Sequence, residues 1–133
     1  MRRKRIAFFC IFIFSLFITS CRSNNQYKYA QTIDSVNKIE LLQIDNGEEE
    51  ILTELDNCDI LADVQSLSCN KYWNDPCQII NGLALKIYYN DSSCEIITWE
   101  CTVYIKDNKR NYGWEYFDMD AFNATLQSYL DSN

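Results

Sequence analysis

The seven cysteines of this 133-residue chain are its side chains best equipped for covalent chemistry, and their neighbours decide what that chemistry is. There is no histidine, so the commonest general base and the usual partner of a Ser or Cys nucleophile are missing. No Cys-x-x-Cys occurs, which argues against a redox-active dithiol. The gaps between Cys58, Cys69, Cys77, Cys94 and Cys101 are too wide for a four-thiolate zinc site. The carboxylates offer little more. Glu95 and Glu100 are an odd number of residues apart on what reads as one strand, so they face opposite ways. Asp118 and Asp120 suit the start of a helix. Asp45 and Glu48 to Glu50 lack the spacing of a calcium loop. Gly47, Gly82 and Gly113 are too dispersed to cradle a phosphate. A non-catalytic chain without cofactor or metal is expected.

Cys21 stands apart from the other thiols. The chain opens with the cations Arg2, Arg3, Lys4 and Arg5, followed by the apolar run Ile6 to Ile18, then Thr19-Ser20-Cys21 and Arg22. A basic start, an apolar stretch of about a dozen residues and a small-residue exit make a secretory signal. A membrane-spanning helix needs about 20 apolar residues, more than the run Ile6 to Ile18 supplies; an uncleaved anchor is the alternative. Ile18-Thr19-Ser20-Cys21 resembles the lipobox of bacterial lipoproteins, with Ile18 where Leu is commoner. The resemblance covers residues 1–21 only. It implies diacylation of the Cys21 sulfur, cleavage before that residue, and a mature chain fixed by lipid to a membrane of the bacterial cell envelope, outside the cytoplasm. Several acyl chains on one terminus hold stably where a single chain is marginal. Ordinary cleavage nearby would instead leave Cys21 as a sixth thiol, and six pair evenly where five do not.

Four of the twelve cations lie in this leader and none of the nineteen acids does, so its removal takes the formal charge from −7 to −11. A surface so acidic has nothing to neutralise nucleic-acid phosphates, and it disfavours adsorption to an anionic bilayer without the lipid. It attracts a cationic protein or peptide. Two functions follow. One is a lipid-anchored, non-catalytic binding domain for an unknown ligand. The other is an acidic inhibitor or immunity-type protein that neutralises a basic toxin or hydrolase at the envelope. A purely structural envelope component is a third reading.

The elements behind Cys21 read as one small domain. Residues 1–20 are the signal peptide, 21–33 the lipid anchor and a polar tether, and 34–133 the domain. Val36 to Ile44 reads as a strand, and Asn46-Gly47 as a hairpin turn returning from Glu49. Residues 56–68 carry Ile60, Leu61, Val64 and Leu67 on one helical stripe. Residues 69–81 are irregular, with a turn at Asn74-Asp75-Pro76. Cys69 and Cys77 flank that turn and are the favoured disulfide. Strands are expected over 82–89, 94–105 and 112–117. A last helix, capped by Asp118 or Asp120, carries Phe122, Leu126, Tyr129 and Leu130. The sum is an α+β fold, an antiparallel sheet of about five to six strands with two helices packed on one face. One unbroken strand over 94–105 puts Trp99 and Cys101 on the core side. It leaves Tyr88, Tyr104, Thr98 and Thr102 on the open face, either as a binding surface or as cross-strand pairs on a solvated sheet.

Overall fold

A computed structural model of the chain describes residues 25–133. The expected signal peptide and the expected lipidation site Cys21 lie outside the described residues. The fold is built on its alternating apolar runs. β1 (Val36–Asp45) and β2 (Glu48–Leu55) form a hairpin. Its turn residues Asn46 and Gly47 have φ of 51° and 82°, the left-handed pair that a two-residue hairpin turn requires. α1 (Asp59–Ser66) and the short β3 (Cys69–Lys71) follow, and β4 (Gly82–Tyr89) returns antiparallel to β1. β5 (Cys94–Ile97), β6 (Thr102–Lys106) and β7 (Lys109–Tyr112) continue as a meander, giving the order β2-β1-β4-β5-β6-β7. β8 (Glu115–Phe117) leaves that sheet and pairs with β3 as a two-stranded ribbon. α2 (Met119–Asp131) ends the chain, with the Asp118 carboxylate accepting the Ala121 N–H at 2.9 Å as its cap.

The fold is α+β, a six-stranded antiparallel sheet with a second small sheet and two helices. Both helices pack on one face. Ile60, Leu61 and Val64 of α1 and Phe122 and Leu126 of α2 join Ile39, Leu41, Leu85, Ile87 and Ile97 of the sheet. Full burial of each such side chain contributes roughly 1.5–3 kcal/mol. The alternation of side chains across a strand builds a second, smaller cluster on the other face, where Leu42, Ile44, Ala84, Ile96 and Val103 lie under Ile80.

Three local features depart from the sequence reading. The expected strand over 94–105 is a hairpin. Thr98 N–H donates to the Cys101 carbonyl at 2.8 Å, and Thr98 Oγ1 both donates to that carbonyl and accepts the Cys101 N–H at 2.9 Å. A threonine side chain closes this turn, with no Gly, Pro or Asn to mark it. The register then pairs Glu95 with Tyr104 and Ile97 with Thr102, and Ile96 with Val103. The expected strand over 112–117 breaks at Gly113, whose N–H donates to the Thr102 carbonyl at 2.8 Å. A Cβ there would stand 2.0 Å from Thr102 Oγ1, so the close approach needs glycine. Finally, the described part of the expected tether is folded. Tyr27 is 5% exposed and belongs to the main core, with Tyr29 packed against it.

Candidate functional site

The residues expected to share an open binding face do not share one. Tyr88 lies on the face opposite the helices. Its phenol donates to Glu40 Oε2 at 2.8 Å, and the Lys38 and Lys86 ammonium groups stand 4.3 and 5.1 Å from its ring centre. Glu40 is buried and ion-paired to Lys38 at 2.9 Å. Burial pushes the Glu40 carboxyl up, but Lys38 and Tyr88 outweigh it and hold it below its ordinary range. Tyr104 is on the other face, packed against the main core. Its hydroxyl donates to Ser93 Oγ at 3.0 Å and accepts from Gln31 Nε2 at 3.1 Å. Thr98 and Thr102 are buried. The turn at 98–101 is the reason: the strand reverses there, so the parity counted through an unbroken strand no longer holds.

The expected Cys69–Cys77 bridge is absent, for all five described cysteines are free thiols. β3 pairs with β8, across more than forty residues of chain, and not with the segment behind Pro76. Buried Cys69 donates its thiol to the Asn25 carbonyl at 3.1 Å. Cys77 lies instead against Cys101, whose thiol donates to the Cys77 carbonyl at 2.9 Å. Burial, reinforced by the Cys77 thiol, pushes Cys101 up to about 12. Burial also raises Cys69 and Cys94. Thiols held protonated at neutral pH are poor nucleophiles. Among the described residues no group of three or more His, Cys, Asp or Glu is placed to hold a metal ion.

Among the described residues the most enclosed carboxyl group is that of Glu95, 2% exposed. Its Oε1 accepts the Tyr27 hydroxyl, while Oε2 accepts the Tyr89 hydroxyl at 2.5 Å and the Ala30 N–H at 2.9 Å. All three donors are neutral, and between them they occupy both carboxyl oxygens. Burial first, and Glu95 second, push the phenols of Tyr27, Tyr29 and Tyr89 upward. The same segment is tied to α1, where Tyr29 donates to the Leu61 carbonyl at 2.6 Å and Gln65 Nε2 donates to the Tyr27 carbonyl at 2.9 Å. The cluster therefore seals residues 27–30 onto the core and presents no open site. Sequence reasoning missed it, although the alternation Tyr27-Lys28-Tyr29 carries the signal of one face turned inward.

What the fold leaves on the surface is an aromatic ribbon beside the point where residue 25 begins. A groove of about 480 Å³ runs between Asn25, Gln26 and Lys28 on one side and Asn70, Lys71 and Tyr116 on the other. Beyond it the Tyr116 ring stands 4.7 Å from the Tyr72 ring. Tyr72 N–H donates to the Trp114 carbonyl at 2.7 Å, and its hydroxyl to the Glu100 carbonyl at 2.6 Å. Trp114 is 47% exposed, and Trp73, the residue after Tyr72, is 99% exposed. Exposed indoles held on a hydrogen-bonded frame make a contact surface. No helix among the described residues is long and apolar enough to cross a membrane. No family model matches the chain, and no curated protein or solved structure matches it.

Proposed function

We propose that the chain is a lipoprotein of the bacterial cell envelope, held to a membrane by lipid on Cys21, whose small acidic domain acts by binding and not by catalysis. The observation that carries this reading is the series of four cations, the apolar run to Ile18, and Thr19-Ser20-Cys21. Binding is supported by the indoles left at the surface and by the withdrawal of Cys69, Cys101 and Glu95 into closed hydrogen bonds. Cys21→Ser tests the anchor in a bacterium producing the chain. Labelled palmitate enters the wild type and not the variant; label in both, or in neither, contradicts the reading.

A second reading, an acidic inhibitor or immunity-type protein facing a basic toxin or hydrolase, is favoured by one place in the fold. β2 is an edge strand, and Glu48, Glu49, Glu50 and Glu54 on it are all exposed. An exposed strand edge recognises an extended segment through its backbone, and the carboxylates of Glu48, Glu50 and Glu54, with Glu49 already paired to Lys86 at 2.7 Å, select a cationic one. Capture of a basic protein that is released as salt rises, and weakened by Glu48→Lys with Glu50→Lys, supports this second reading.

A further inference from the structure

We infer that the β3–β8 ribbon docks on the bilayer interface, with Trp73 and Trp114 seated among lipid headgroups and Lys28 and Lys71 beside their phosphates. The inference rests on the membrane attachment proposed above and adds which end of the domain meets the lipid. It starts from where the described chain begins. Asn25 is fixed to the ribbon: its carbonyl accepts both the Cys69 N–H and the Cys69 thiol at 3.1 Å. Four peptide links separate Asn25 from Cys21, and four extended residues reach about 14 Å. Lipid on Cys21 thus holds the ribbon end within that distance of the membrane. If the apolar run to Ile18 stays in the bilayer instead, the same end is still the nearest.

The side chains at this end suit such an interface. Trp and Tyr concentrate at headgroup level, where an amphipathic ring has one apolar and one wet side. Tyr116 lines the groove beside Asn25, packs at a tilt against Tyr72, and through it leads to Trp114 and Trp73. Lys28 and Lys71 lie exposed on the same groove, and neither is in an ion pair among the described residues. Glu115 lines the same groove, opposite Lys71 in the β3–β8 register, and Glu100 lies beside Tyr72, so the surface is mixed in sign. A zwitterionic headgroup fits that mixture better than an anionic one, given the acidity of the whole domain.

The test uses the acylated protein with phosphatidylcholine vesicles brominated near the headgroup. Flotation reports attachment, and tryptophan emission reports docking. The wild type should float with its emission shifted to the blue and quenched by bromine. Trp73→Ser with Trp114→Ser should float equally but lose the shift and most of the quenching, leaving only core-packed Trp99. A wild type that floats while its indoles stay open to aqueous iodide overturns the docking and leaves the ribbon to a protein partner. A protein that does not float refutes the attachment itself, and the docking falls with it.

Discussion

Residues 25–32 and residues 72–81 are both irregular stretches with neither helix nor strand, yet they have opposite fates. The first is sewn down by Tyr27 and Ala30 on Glu95, by Tyr29 on Leu61 and by Gln65 on the Tyr27 carbonyl. The second touches the fold at wider intervals, through Tyr72 on Glu100, Cys101 on Cys77 and Ile80 on the smaller cluster. Between those points it leaves Trp73 and Ile79 in solvent. The difference teaches that composition does not decide what is tether and what is core. A buried carboxylate with three donors, two further hydrogen bonds to α1 and the packing of Tyr27 in the core make this polar segment part of the domain.

That contrast can be broken at its centre. Glu95→Ala leaves Tyr27, Tyr89 and Ala30 without their acceptor and should cost at least about 3 kcal/mol, seen as a lower urea midpoint and as early proteolysis within 25–32. Tyr27→Phe keeps the ring and removes one buried hydrogen bond to the Glu95 carboxyl, for a loss of roughly 1–3 kcal/mol by the same measurement.

Alkaline pH sharpens the comparison. The phenols of Tyr27, Tyr29 and Tyr89 are raised in the folded state. Their contribution is complete below the unfolded tyrosine value of about 10 and is lost as pH climbs toward the folded values. Urea stability should fall by about 1 kcal/mol per phenol per pH unit above that point, and less steeply in Tyr27→Phe and Tyr89→Phe. In the other segment the effects shrink. Cys101→Ala removes the thiol that holds Cys77 and should cost about 1 kcal/mol. Trp73→Ser should leave the urea midpoint within about 0.5 kcal/mol of wild type.

Much of the frame was legible in the residues. Asn46-Gly47 announced its hairpin, the stripe Ile60, Leu61 and Val64 its helix, and Asp118 the cap of the last helix. Each of these signals is local, carried by a few neighbouring residues. The failures came where the decisive partner is distant or the usual marker is missing. Thr98 makes a tight turn without Gly, Pro or Asn, and one unseen turn moved Tyr104 from the open face to the core. β3 is three residues long and finds β8 far along the chain, which no pattern within 69–81 encodes, so Cys69 and Cys77 were paired by proximity in sequence alone. Glu95 read as one acid on a strand; its role depends on Tyr27, 68 residues away.

Because residues 25–32 pack into the domain, only Arg22, Ser23 and Asn24 stand between it and Cys21, and everything turns on what Cys21 carries. The intact mass of the chain extracted from membranes decides this most directly. It should correspond to a chain that starts at Cys21 and bears a diacylglycerol thioether and acyl mass. A mass that still includes Met1, or a chain starting at Cys21 with a free, unmodified thiol, would contradict it.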